Sequence, residues 1–322
     1  MRRPGLWIAA ILLLAGCLAL GVAVGGVPLS LSDVWSGDGV AGRSARLIAS
    51  LRAPRVALAA LVGACLAIAG AALQSLLKNP LADPFLIGTS GGAATGAAIA
   101  SLLGVSPLLS PGAAFAGAAV SSVAVAALAR RGGRLDLQRL LLAGLIANAF
   151  FSAVLLGVFS LASSETARTM LFWMMGSLAD ASPRKPVALL PYAALGAAAL
   201  FASASRLNLF AVGEENAAAL GVDTEKAKAF VFLAASLLTG AAVAFAGVIG
   251  FVGLLVPHAA RAITRGNDQR ILLPFSALLG ASLLVAADAL SRAVAAPAEL
   301  PIGAVTAAIG APLFAWLLLR TP

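Results

Sequence analysis

Charge is what this chain has least of. Of 322 residues only 11% are charged, one is histidine, one is tyrosine, two are cysteine, and aromatics together make up 6%. Each shortage removes a class of function. A single histidine, His258, cannot hold a haem through paired imidazoles, and no metal-ligand cluster occurs at a recognisable spacing. Beside Pro257 and three residues from Arg261, it reads as a packing residue. Cys17 and Cys65 both lie in apolar runs, which makes them small buried residues and excludes a disulfide framework. There is no GxxxxGK(S/T) phosphate loop, no Gly-Lys pair anywhere and no nucleophile–base set. The polypeptide is therefore expected not to be an enzyme, and in particular not an ATPase.

What is present is apolar. Hydrophobic residues make up 61% of the chain and the mean hydropathy is +1.00, more than a soluble domain of this size can hide. The solvent is a bilayer. The 33 glycines and many alanines let helices approach closely, which predicts a compact all-α polytopic bundle. The net charge of +9 calls for no nucleic acid, because Lys and Arg of membrane proteins gather in cytoplasmic loops. Arg2 and Arg3 followed by an apolar run resemble a signal peptide, and Leu14–Cys17 resembles a lipoprotein cleavage box. The run continues to Val27, however, so Leu6–Val27 is read as a first span.

Basic clusters set the topology. Arg2–Arg3, Arg130–Arg139, Arg206–Lys228, Arg261–Arg270 and Arg320 are placed on the cytoplasmic side, so an even number of crossings separates each pair. Four spans precede Arg130: Leu6–Val27, Val56–Leu77, Gly91–Leu109 and Ala113–Ala129. Leu140–Leu161 and Val187–Ala204 follow, and Ile271–Leu290 and Ile302–Leu319 close the chain. Between Lys228 and Arg261 about thirty residues are too few for two full spans of about twenty each. Gly247, Gly250, Gly253 and Pro257 mark the return leg as short or broken. The expectation is ten transmembrane helices with both termini cytoplasmic.

The polar island Arg206–Lys228 stands out between apolar runs. Glu214 and Glu215 open a helix of about two turns, Gly221 follows Leu220 as a C-cap residue, and Asp223 or Thr224 can cap the next helix. Its apolar side, Ala217, Leu220 and the flanking Phe210, is read as facing a soluble partner; packing on its own protein is the alternative. Gly63, Ala67, Gly70 and Ala71 form a small-residue stripe, as do Gly92 and Gly96. From Gln74 to Gly92, Pro80 and Pro84 force a turn that is either a plain connection or a constriction in a pathway. Asp288 lies four residues before Arg292, on one helix face, as a structural ion pair or a pathway group. Parity puts Arg43, Arg46, Arg52, Arg55 and Arg292 outside the cell, against the usual charge bias. Either anionic head groups attract them, at about 1 kcal/mol per basic residue, or they meet carboxylates of an external protein.

Four segments then carry a resemblance. LRAPRVALAALVGACLAIAGAALQSLLKNPLADPFLIGTSGGA (Leu51–Ala93), FWMMGSL (Phe172–Leu178), GFVGLLVPHAAR (Gly250–Arg261) and AELPIGAVTAAIGAPLFAWLLLR (Ala298–Arg320) resemble the FecCD-type permeases. Those are the membrane subunits of ATP-binding-cassette importers for iron–siderophore, haem and cobalamin. The resemblance runs from about Leu6 to the C-terminus. It implies that residues 1–322 form a single transmembrane permease domain, with 206–228 as a cytoplasmic coupling segment within it. It implies a homodimer with the pathway on its axis, two ATPase subunits that hold ATP and Mg, an external or periplasmic substrate-binding protein, and no cofactor on this chain. The setting is the bacterial or archaeal cytoplasmic (inner) membrane. Glu214, Glu215, Ala218, Leu220 and Gly221 would contact the ATPase, although Asn216 departs from the broader pattern, which has Ala there. Asn79, Leu81 and Leu142 match an inner gate, with Leu137 and Gln138 at a gate position that the cobalamin transporter fills with small hydroxylated residues. Arg52, Arg55 and Arg292 match positions that dock the binding protein, whereas Arg43 and Arg46 match none. The cargo this implies is an iron(III)–siderophore first, with haem or cobalamin as alternatives. The competing class is an ion-gradient-driven secondary transporter, which needs ionisable groups deep in the membrane.

Overall fold

The computed structural model describes residues 4–25, 39–106, 109–296 and 298–320, and helices dominate it. In chain order they are α1 Pro4–Ala23, α2 Gly39–Leu76, α3 Thr89–Leu102, α4 Ser110–Leu128, α5 Leu137–Leu161, α6 Ser164–Met174 and α7 Arg184–Ala202. Then follow α8 Ala204–Val212, α9 Glu214–Ala219, α10 Thr224–Ala246, α11 Val252–Thr264, α12 Gln269–Val294 and α13 Ile302–Arg320. A two-residue hairpin, β1 Arg130–Arg131 and β2 Arg134–Leu135, pairs antiparallel between α4 and α5. Among the described residues seven helices are long and apolar enough to cross a membrane: α1, α2 over Ala45–Leu76, α4, α5, α7, α10 and α12. α13 carries a shorter apolar stretch over Ile302–Ala315, and α3 and α11, with 14 and 13 residues, are shorter than the seven.

Three of these make the inner layer. The apolar stretches of α2, α10 and α12 are 78%, 72% and 61% buried, against 11–28% for α1, α4, α5 and α7, which therefore lie outside them. The inner helices meet backbone to backbone. A Cβ on Gly63 would stand 2.2 Å from the Gly280 carbonyl oxygen, and one on Gly70 would stand 1.9 Å from that of Gly253. Gly92 and Gly117 approach in the same way between α3 and α4. The small-residue stripes read from the sequence are the helix–helix contacts themselves.

The broken return leg is where the glycines placed it. Helix α10 ends at Gly247 (φ 72°), and α11 begins after Phe251, which also takes a left-handed φ of 70°. With 13 residues, α11 is about 20 Å long, short of a hydrocarbon core of about 30 Å. Two expectations need correction. The third span was placed at Gly91–Leu109, but α3 has only 14 residues. Gly104 (φ 68°) stops it: the Gly104 and Val105 amides return to the Ser101 and Ala100 carbonyls, which caps the helix at Leu102, well before Leu109. The second span was started at Val56, whereas α2 runs back through Pro54 to Gly39.

The far ends of the helices are knotted by backbone bonds. α6, which no periodicity announced, ends at Gly176 (φ 73°), and there the Ser177 amide donates to the Ala246 carbonyl. The Ile302 and Gly303 amides donate to the Gly176 and Met175 carbonyls. Two of the four resemblance segments thus meet the end of α10 at one junction. At the other, basic end, the hairpin, α8, α9 and the 265–268 turn are linked by side-chain bonds.

Because overpacking costs about 1–3 kcal/mol, Gly70→Val is expected to lower the thermal unfolding midpoint in detergent. Gly157→Val, with nothing near its Cβ, should change it little. Equal midpoints for the two variants would refute the close-approach argument.

Candidate functional site

The basic end carries the expected coupling segment. α9 is six residues long, with Glu214 and Glu215 in its first turn. Gly221 (φ 82°) follows Leu220 as the left-handed cap, and the Gly221 and Val222 amides return to the Ala218 and Ala217 carbonyls. Asp223 caps α10 by accepting from the Lys226 amide. The side-chain hydrogen bond from Lys226 holds its carboxyl below the usual range. The expected apolar face is corrected. Phe210 and Ala217 are buried in the chain's own packing, whereas Leu220 is 69% exposed and Val212 70%. Ala218 and Glu215 are exposed beside them, and Glu214 is tied inward to Lys228.

The turn after α2 and the first turns of α5 lie against each other. Lys78, at a left-handed φ of 48°, ends α2, and the Asn79 side chain accepts from the Leu81 amide at 2.9 Å. Asp83 caps the short 3-10 helix Pro84–Ile87 by accepting from the Phe85 amide; burial pushes its carboxyl up to about 6, against that amide's pull. Asn148 of α5 donates to the Phe85 carbonyl, and a Cβ on Gly144 would meet the Leu86 carbonyl oxygen at 2.1 Å. Leu137 packs against the core, while Gln138 is exposed, as are Leu81 (45%) and Leu142 (59%). The expected gate residues therefore belong to two contacting elements, with Leu145, Ile146 and Phe150 continuing an exposed apolar face along α5.

The far end holds the arginines, and here the expectation for Arg292 is corrected. Its guanidinium is buried, bonded to Asp288 at 3.0 Å and to the carbonyls of Gly21 and Val24. Arg52 donates to the carbonyls of Val22 and Ala23, both at 3.0 Å. Two arginines thus serve the last carbonyls of α1, which have no intrahelical partner. Asp288, with no exposed surface, also takes Arg55 at 2.7 Å, so the expected i,i+4 ion pair is one half of a triad. Arg55 reaches on to Glu299 at 2.8 Å, and Glu299 is 41% exposed. Arg43 and Arg46 are exposed. Nothing in the sequence signals a cation paired with backbone oxygen, which is why Arg292 was read as facing outward.

Beside this cluster lies a cavity of about 120 Å³ lined by Arg55, Phe172, Glu299 and Leu300. A larger one of about 290 Å³ lies under Met170, Phe172, Trp173 and Met174. Among the described residues no three His, Cys, Asp or Glu side chains come together to hold a metal ion. His258 is half-buried in α11.

Comparison with known proteins agrees with this geometry. A family model described as the FecCD transport family matches residues 11–320. The chain is 44% identical to the cobalamin import system permease protein BtuC of Halobacterium salinarum, over 84% of this chain and 73% of that protein. It is 40% identical to the hemin transport system permease protein HmuU of Yersinia pestis, over 99% and 96%. Its structure superposes on a metal-chelate type ABC transporter solved in an inward-facing conformation, with a TM-score of 0.89 and 30% identity, covering 99% of this chain and all of that one.

Replacing Arg292 by Met would leave the Gly21 and Val24 carbonyls bare and take one of the two partners from Asp288. Breaking a buried pair costs about 3–5 kcal/mol, so this variant should melt well below Arg55→Met, whose second partner, Glu299, can turn to water. Equal melting of the two in detergent would show that the triad is not arranged as described.

Proposed function

Because the chain belongs to the FecCD transport family, a permease of ABC importers for metal chelates, haem or vitamin B12, we propose that two copies form the translocation path of such an importer. The family match over residues 11–320 carries the reading. Two ATPase subunits, holding ATP and Mg, sit on the basic end, which faces the cytoplasm together with both termini. The external binding protein docks on the far end. α9 fits the first role because it is short and flanked by exposed apolar residues, Val212 at the end of α8 before it and Leu220 at its C-cap. Asn79, Leu81, Leu137, Gln138 and Leu142 form the cytoplasmic gate, at the contact between the turn after α2 and the start of α5. Docking at the far end falls to Arg55, whose neighbour Glu299 is exposed enough to be exchanged for a partner carboxylate; Arg52 supports it and Arg292 acts from within.

The cargo we propose is a macrocyclic metal chelate, cobalamin or haem, since relatives named for both align over most of the chain. A relative named for Fe(3+)-citrate import is 36% identical over 98% of this chain, so the expected iron(III)–siderophore stands beside this reading as the second. An ion-gradient mechanism finds no support: Asp288, the deep carboxylate it would use, has its two oxygens on Arg55 and Arg292. In proteoliposomes holding the full complex, ATP- and vanadate-sensitive uptake of cyanocobalamin or haemin is expected to exceed that of ferric citrate. Uptake that follows a proton or sodium gradient without ATP would overturn the reading.

Two further outcomes follow from the geometry. Nothing lies within 4 Å of a Cβ on Gly221, so only its backbone conformation resists substitution. Gly221→Asn should therefore keep transport, while Gly221→Val, poorly tolerated at positive φ, should uncouple or release the ATPase; equal behaviour would count against the coupling role. A Leu142→Cys permease should crosslink across the dimer with a yield that ATP changes. Absence of crosslinks in every nucleotide state would remove α5 from the path.

A further inference from the structure

Lys228 is the fifth residue of α10, with its side chain 4% exposed, a costly place for an ammonium unless each of its donors is satisfied. They are, one for one. Nζ meets the Leu135 carbonyl at 2.8 Å, Glu214 Oε1 at 2.7 Å and Glu225 Oε1 at 2.6 Å. Each acceptor comes from a different element: β2, α9 and α10. The second oxygen of Glu225 takes the Leu135 amide at 2.6 Å, so both backbone groups of Leu135 are held by side chains of α10.

Leu135 also lies two residues before the start of α5. It pairs with Arg130 in the hairpin, and the next residue, Asp136, returns its amide to the Ala129 carbonyl. Asp136 then caps α5, accepting from the amides of Gln138 at 2.9 Å and Arg139 at 3.1 Å; the Arg139 amide holds its carboxyl below the usual range. The chain of contacts therefore runs from Glu214, the first residue of α9, through Lys228 to Leu135, and on through the cap into the turn of α5 that carries Gln138 and leads to Leu142. No link in it exceeds 3.1 Å. The other polar anchor of this end leads elsewhere, from Asn208 of α8 to Asp268 and Gln269 at the start of α12.

We propose that Lys228 is the positioning residue that transmits movement of α9 to α5, joining the ATPase contact to the cytoplasmic gate. The proposal rests on the reading of α9 as the ATPase contact and of Leu142 as part of the path. Three charge-assisted bonds from one buried centre fix direction as well as distance, whereas the covalent route from α9 to α5 passes through no such short path. A displacement of Glu214 moves the ammonium, and the ammonium carries the Leu135 peptide and the α5 cap with it. Coupling of this kind is shown by measurement at both ends, not by adjacency.

The test uses the assembled permease, ATPase and binding protein in lipid nanodiscs and vesicles, with spin labels at Leu142→Cys in both protomers. The unsubstituted complex should show an ATP-dependent change in the label-to-label distance. Lys228→Met should leave the ATPase bound and hydrolysing ATP, yet abolish that change. Uptake per ATP hydrolysed should fall by roughly ten-fold or more, within the span of ordinary coupling energies, for whichever of cyanocobalamin, haemin or ferric citrate the complex carries. Lys228→Arg, which keeps the charge and the donors, should recover most of both signals; a merely structural lysine would move neither ratio nor distance in an assembled complex. Normal uptake per ATP and a full distance change in Lys228→Met would overturn the proposal. If that variant does not assemble, Glu225→Gln decides by the same two readouts, since it weakens the hold on Leu135 at a side chain outside the ATPase contact. An unsubstituted complex that fails to bind the ATPase would instead overturn the underlying reading of α9, and this proposal with it.

Discussion

A carbonyl freed by a helix end has no water to turn to inside a bilayer, and the placing of polar side chains in this protein follows from that constraint. Arg52 and Arg292 serve the last turn of α1. Gln74 of α2 donates to the Ala82, Gly253 and Leu254 carbonyls and accepts from Arg261, fastening the turn after α2 to the start of α11. Ser121 donates to the Gly88 carbonyl at 2.7 Å, Thr89 to that of Pro84, and Asn148 to that of Phe85. A chain with so few polar residues has placed these at the breaks. The breaks are where a transport protein needs irregular backbone, and the same side chains hold that backbone in one arrangement.

The far-end arginines make sense in this light. A positive cluster there opposes the usual charge bias, but most of its charge is spent internally, on Asp288 and on the negative end of the α1 dipole. Removing any one member would leave a charge or a carbonyl bare at depth, so the cluster is held as a unit. Only the outer edge, Arg55 with Glu299, remains open to exchange. Partners thus sort three arginines of similar sequence context: Arg52 and Arg292 hold carbonyls of α1, while Arg55 reaches the exposed carboxylate of Glu299.

Much of the fold was legible because it depends on local backbone chemistry. Gly221 announced its left-handed cap, Gly247 and Pro257 announced the broken leg, and Gly63 and Gly70 announced where helices touch. The early stop of α3 was less visible, since Gly104 in an Ala- and Gly-rich run looks like any other small residue. The left-handed Lys78 and Phe251 carry no such mark at all, because their conformations are imposed by packing: Phe251 lies against Gly310, and Lys78 follows the turn that Gln74 holds. The site was legible in its parts but not in its joints. Glu214 could be read as an acid at a helix start, yet its bond to Lys228, fourteen residues on, and through it to Leu135, depends on tertiary packing that no spacing encodes.

α10 connects the two ends of the molecule. It begins at the Lys228 hub, and at its other end the Ala246 carbonyl takes the Ser177 amide in the junction with α6 and α13. Its 23 residues span about 34 Å, and they are largely buried against α2, α4 and α7. A buried, unbroken helix is a stiff link between the Lys228 hub and the far junction. Beyond Ala246 the continuity stops. The left-handed residues Gly247 and Phe251 separate α10 from α11, and α11 is held instead to α2 through Gln74 and Gly70. The break therefore decouples the return leg from the helix that precedes it. Each of the two helices is thus anchored on its own, α10 at Lys228 and Ala246 and α11 at Gln74 and Gly70.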